Sequence, residues 1–130
     1  MIKKEKRVIK KKVKRKLSRA ILYVKSNFNN TLITLTNFKG DTIAWSSSGS
    51  CGFKGARKGT PFASKVVIEN ILKNCLEFGI RQIKVFFNGP GTGRETVIRS
   101  LQKGGLQILL IRDITPIPHN GCRPPKKRRI

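Results

Sequence analysis

The sequence predicts an α/β domain built on a mixed five-stranded sheet, and three observations lead there. After residue 20 come three short runs rich in Thr, Ile, Leu and aromatic residues, separated by turns carrying Asn or Gly. The second half then alternates two segments of helical period with two apolar runs, the pattern of crossover connections in a sheet. Finally, 130 residues suit one domain, and an apolar share of 38% plus 12 glycines is close to the globular average.

The first run, ILYVKS at 21–26, is followed by Asn-rich residues and then TLITLT at 31–36, which together read as a hairpin of two strands. A turn at NFKGD, 37–41, leads into TIAWSS, 42–47, the third strand of an antiparallel meander. Residues 47–60, SSGSCGFKGARKGT, hold four glycines and three basic side chains without apolar periodicity, which marks a long exposed loop. Thr60 before Pro61 is a helix start, the hydroxyl serving as N-cap and the proline losing nothing in the first turn. Ala63, Val67, Ile71 and Cys75 line one side of that helix, with Val66, Leu72 and Leu76 beside them. It ends at Phe78, where Gly79 supplies a left-handed stop.

RQIKVFF at 81–87 reads as a mostly buried strand. Thr92 and Glu95 have the spacing of a capping box at the start of a second helix, which closes at Gly104 and Gly105. LQILLIRDI at 106–114 is nearly all apolar and reads as a last strand covered on both faces.

Against this ordinary core stands a formal charge of +23, from 29 Lys and Arg against six Asp and Glu. Such a bias drives a molecule onto polyanions. Residues 1–19 carry 11 of the basic side chains and residues 119–130 carry five. Two basic arms, 1–19 and 119–130, on a domain spanning 20–118 form a nucleic-acid pattern, for like charges repel themselves into disorder until phosphates neutralise them. Ile9, Val13 and Leu17 fall at i, i+4 and i+8, so the first arm has the makings of a basic amphipathic helix. No apolar run approaches a membrane span and no secretory signal is recognisable, so an internal, soluble protein without a membrane partner is expected. Cys51, Cys75 and Cys122 are too far apart for a CxxC site, and His119 with Cys122 lacks the two further ligands a metal needs. Neither metal nor other cofactor is expected.

The turn NGPGTG, 88–93, bears only a passing likeness to nucleotide fingerprints. Counted from Gly89 or Gly91, the place for the last glycine of GxGxxG holds Arg94 or Thr96, and the spacing of a Walker loop is missing. What survives is shared physics: at Gly91 and Gly93 the backbone is free to approach an anion, and a helix N-terminus follows with Arg94 as a guanidinium fork. A plain tight turn with a solvent-facing arginine is the alternative.

Three antiparallel strands followed by αβαβ are similar to the ribonuclease H arrangement, whose two-metal chemistry needs converging carboxylates. The runs 21–26 and 81–87 contain no acid, Glu69 and Glu77 lie two turns apart on one helix, and His119 is the only histidine. No catalytic residue is therefore assigned, and no small-molecule substrate.

The loop SGSCGFKGARKGTPFAS, the turn NGPGTGRE and the ending RDITPIPHNGCRPPKKRRI closely resemble the bacterial and organellar family of small-subunit ribosomal protein eleven, over residues 20–130. The resemblance implies a ribonuclease H-like three-layer sandwich without its active site and a place on the small-subunit platform. It also implies binding to small-subunit rRNA, platform proteins six and eighteen as neighbours, and mRNA nearby. Carried onto this chain, the rRNA-facing residues are Lys54, Arg57 and Lys58 in the loop, Arg94 at the turn, and Arg123, Lys126, Lys127, Arg128 and Arg129 in the tail; to these the turn's own backbone chemistry adds Gly91 and Gly93, and His119, in a basic tail beside an Asn-Gly turn, reads as a phosphate contact. The Lys-dense first arm departs from the more mixed tail of the family. The wording of loop and tail looks plastid, with a bacterial cytoplasm or a mitochondrion as alternatives. A general nucleic-acid compacting protein, for which charge alone suffices, is the competing reading.

Overall fold

The computed structural model describes residues 17–130, so the expected amphipathic pattern at Ile9 and Val13, and most of the first arm, lie outside the described residues. β1 (Arg19–Ser26), β2 (Thr31–Thr36) and β3 (Thr42–Ser47) form the antiparallel meander. Asparagine fixes both turns. Asn27 Oδ1 accepts from the N–H groups of Asn29 and Asn30 at 3.0 and 2.7 Å, and Asn37 Oδ1 accepts from Lys39 and Asp41 at 3.0 and 2.9 Å.

A 3-10 turn at Gly55–Gly59 precedes α1 (Pro61–Phe78). Thr60 Oγ1 accepts from the Ala63 N–H at 3.3 Å and Gly79 closes the helix at φ 71°, as the sequence predicts at both ends. β4 (Gln82–Asn88) pairs parallel with β1, α2 (Arg94–Lys103) crosses over, and β5 (Gln107–Asp113) pairs parallel with β4, giving the order β3-β2-β1-β4-β5.

Alternate residues of the strands face the helices. Ala20, Leu22 and Val24 of β1, Ile33 and Leu35 of β2, and Ile83, Val85 and Phe87 of β4 meet Val67, Ile68, Ile71 and Cys75 of α1 and Val97 and Leu101 of α2 in one core. Burial raises the Cys75 thiol to a pKa of about 11, which keeps it a small apolar group. Both helices share this face, so the described residues form two layers, and a third layer of the expected sandwich is not among them. No helix of the described residues is long and apolar enough to cross a membrane.

Two expectations need correction. β5 is an edge strand and is not covered on both faces: Leu109 is 41% and Ile111 49% exposed. The ten-residue α2 places only Val97 and Leu101 fully in the core, too little apolar surface to cover the strand's whole length. Leu76, read as flanking the buried stripe of α1, is 75% exposed. It falls past the edge of the arc that faces the sheet.

Because the Thr60 hydroxyl is the side-chain cap of α1, Thr60→Ala is expected to cost about 1 kcal/mol in urea unfolding.

Candidate nucleic-acid interface

β1, β4 and β5 run parallel, and the segments leaving their C-terminal ends meet the 47–60 loop at one end of the sheet. Such ends are where open α/β sheets hold their ligands. The geometry starts with the glycines. Gly89, Gly91 and Gly93 occupy every second position, and each turns the side that would carry a Cβ inward. A Cβ at Gly89 would stand 2.3 Å from Ser26 O, one at Gly91 2.0 Å from Ser26 Oγ, and one at Gly93 2.0 Å from Ser64 Oγ. The Gly91 N–H donates to Ser26 O at 2.9 Å. Beneath the turn Thr31 Oγ1 bonds Ser64 Oγ at 2.9 Å and lies 3.5 Å from Ser26 Oγ, so three buried hydroxyls satisfy one another.

Gly91 and Gly93 are thus buried, and their missing side chains serve close packing rather than an open approach to an anion. The capping box is also absent. α2 begins at Arg94 with Gly93 as an uncapped N-cap, while Thr92 Oγ1 donates to Gly59 O at 2.8 Å. That bond ties the turn to the basic loop, where Gly59 is itself pressed on Phe28: a Cβ there would stand 2.1 Å from Phe28 O. Gly93 occupies the N-cap position, so the Thr92 hydroxyl makes no bond to the helix and gives its proton to a carbonyl across the site.

Arg94 is not a free fork. Its Nη2 donates to Asp113 Oδ2 at 2.9 Å, and its guanidinium lies 5.0 Å from the centre of the Phe87 ring. Asp113 in turn accepts from the Thr115 hydroxyl and N–H, and Thr115 Oγ1 accepts from the Gly89 N–H at 3.0 Å. With Ile114 N–H on Phe87 O at 2.7 Å, this clamp fixes where the tail leaves the sheet. Thr115 first, then Arg94, lower the Asp113 pKa from 3.8 to about 2. Sequence reasoning passed over Asp113 and Thr115. Their i, i+2 spacing, Asp then Thr straight after a strand, is the local signal that would have found them.

Lys54, Arg57 and Lys58 lie at the 3-10 turn, without ion-pair partners among the described residues. Lys54 and Arg57 line a shallow concavity of about 330 Å³ with Cys51, Gly52 and Phe53. Phe53 packs edge-on against Phe62 at 5.9 Å, and Asn70 Nδ2 donates to Cys51 Sγ at 3.0 Å, which anchors the loop on α1. Residues 114–130 are exposed throughout. Asn120 adopts φ 69°, the turn expected of the Asn-Gly pair, and His119, Arg123 and Lys126 to Arg129 follow the chain away from the clamp. Among the described residues no group of His, Cys, Asp and Glu is suited to hold a metal.

The profile of the family described as ribosomal protein S11 matches residues 20–129. The chain belongs to that family. Among curated proteins named small ribosomal subunit protein uS11c it is 57% identical to that of Pleurastrum terricola over 124 residues, 95% of this chain and 96% of the relative. It is 58% identical to that of Pyropia yezoensis over 120 residues, 92% of each chain, and 52% identical to that of Guillardia theta over the full length of both. A member of the S11 family is a ribosomal protein of the small subunit and not an enzyme. Relatives of the uS11c type agree with the plastid wording of loop and tail and place this S11 protein in the plastid ribosome.

Gly93→Ala is expected to destabilise the protein by about 1–3 kcal/mol in urea unfolding, since the added methyl meets Ser64 at a packed junction. The lowered Asp113 pKa makes the clamp's contribution complete above pH about 4 and lost as pH falls through about 2. A carboxyl-carbon NMR titration should give that low midpoint, and Arg94→Ala should move it upward.

Proposed function

We propose that this S11 protein is a structural component of the small-subunit platform that binds small-subunit rRNA at this end of the sheet. Lys54, Arg57 and Lys58 contact phosphates from the loop, and Arg94 does so with the edge of its guanidinium left open beside Asp113. Gly91 and Gly93 act by setting the position of Thr92 and of the α2 N-terminus, whose dipole favours a phosphate. His119, Arg123, Lys126, Lys127, Arg128 and Arg129 form a tail, residues 119–130, that threads into the RNA. The domain of 20–118 and the two arms divide the work: the domain gives shape, the arms give charge. Platform proteins six and eighteen are the proposed neighbours, with mRNA nearby.

The observation that carries this reading is convergence. The basic loop, the start of α2 and the root of the tail meet at one end of the sheet through Thr92 on Gly59 and the Arg94–Asp113–Thr115–Gly89 clamp. Charge spread for compaction alone would need no such common anchor. In polyproline geometry a twelve-residue tail reaches on the order of 37 Å, since each residue adds about 3.1 Å.

Deleting residues 119–130 should leave the melting temperature of the free protein nearly unchanged, for none of these residues is buried. The same deletion should impair incorporation into small subunits that lack the protein, and equal incorporation of both forms would refute the role of the tail. Affinity for small-subunit rRNA should fall steeply with salt, each neutralised phosphate adding roughly 0.7 to 0.9 to the log-log slope.

A further inference from the structure

The helices cover one face of the sheet, and the opposite face is left with an unusual set of side chains. Pairing across the strands aligns Trp45 of β3 with Thr34 of β2, Thr34 with Tyr23 of β1, Tyr23 with Phe86 of β4, and Phe86 with Arg112 of β5. Three aromatic rings therefore lie in one row that crosses the whole sheet. Tyr23 and Phe86 are in contact, their centroids 5.5 Å apart. Trp45 stands clear of them, two strands from Tyr23 or about 10 Å at the usual strand spacing. Its exposure is 62% and that of Tyr23 is 37%.

Cations surround the row. On the same face, by alternation along the strands, stand Arg19 and Lys25 of β1, Lys84 of β4 and Arg112, and Lys84 Nζ lies 5.0 Å from the centre of the exposed Phe38 ring. Among the described residues, none of the strand positions facing this side carries Asp or Glu. Exposed aromatics alone would suit an apolar partner. Rings in a frame of unopposed positive charge suit a ligand with flat apolar surfaces and a negative backbone.

We propose that the open face of the sheet is a second RNA-binding surface, one that takes an unpaired RNA segment, its bases stacked on Trp45 and on the Tyr23–Phe86 pair and its phosphates held by Lys25, Lys84 and Arg112. The proposal rests on the rRNA-binding reading and adds to it a mode that reads unpaired bases, distinct from the phosphate contacts of loop and tail. A duplex hides its base faces, so the surface discriminates single strands from helices.

Trp45 is the only tryptophan, so its fluorescence reports this face alone. The full-length protein is titrated with a ten-nucleotide oligouridylate, with an RNA duplex of the same length, and with heparin. The single strand is expected to quench Trp45, while the duplex and heparin bind the arms by charge and leave its emission unchanged. Tyr23→Leu keeps the apolar cover and removes the ring. It should weaken the oligouridylate about tenfold, the share of one stacked base, without changing the salt slope. Equal quenching by heparin, no quenching by the single strand, or unaltered affinity in Tyr23→Leu would each overturn the proposal. So would shielding of Trp45 only after assembly into subunits, which would mark the face as a protein contact. The ribosomal reading is tested separately by incorporation of the unaltered protein into small subunits, so either idea can fail alone.

Discussion

The close approach of the Gly89–Gly93 segment to Ser26 and Ser64 is the constraint on which the functional end of the molecule depends. Three glycines at alternate positions let the turn after β4 lie directly against the end of β1 and the start of α1, closer than any side chain permits. From that contact follow the outward direction of Thr92, the place where α2 begins, and the position of Arg94 beside β5. The loop, the helix and the tail are then held by one another through backbone carbonyls and a single carboxylate. A junction made this way needs little apolar core of its own, which suits a small domain that presents most of its charge on segments outside the sheet.

Much of the fold was legible because local chemistry and tertiary demand agree. Thr60-Pro61 and Gly79 bound α1 because capping is settled within one turn of helix, whatever else surrounds it. The meander was legible from alternating apolar residues and Asn-bearing turns, and the mixed sheet from the crossover helices, but not that β4 pairs with β1 rather than with β3, to which α1 joins it. Fates that depend on partners distant in sequence were not legible. The apolar content of β5 does not say that the sheet ends there, and the periodicity of α1 does not say how wide an arc the sheet covers at Leu76.

The site shows the same division. That Lys54, Arg57 and the tail are exposed could be read from composition, since blocks of charge have nowhere else to go, whereas Lys58 is half-buried. The roles of Thr92 and Arg94 could not, because each has two plausible partners and the choice is made in three dimensions. Thr92 had its own helix or the Gly59 carbonyl, and Arg94 had solvent or Asp113. The alternation of Gly89, Gly91 and Gly93 carried the missing information. Each of the three points its missing side chain inward within a turn, where Gly89 takes φ 95° and Gly93 a helical conformation, so glycines crowded this closely mark a packed junction.

The position of β1 at the centre of the sheet also orders events in time. Its antiparallel partner β2 begins a few residues downstream, whereas its parallel partner β4 lies some sixty residues further on, as the contact of Arg19 with Gln82 across 63 positions shows. During synthesis the hairpin can close at once, but the other edge of β1 must wait until α1 and β4 have emerged. For that interval a nascent chain presents a strand with one open edge, carrying Ala20, Leu22 and Val24, together with a dense cluster of positive charge just ahead of it. That charge keeps neighbouring chains apart while the strand is open, a protection against aggregation that operates before any ligand is met.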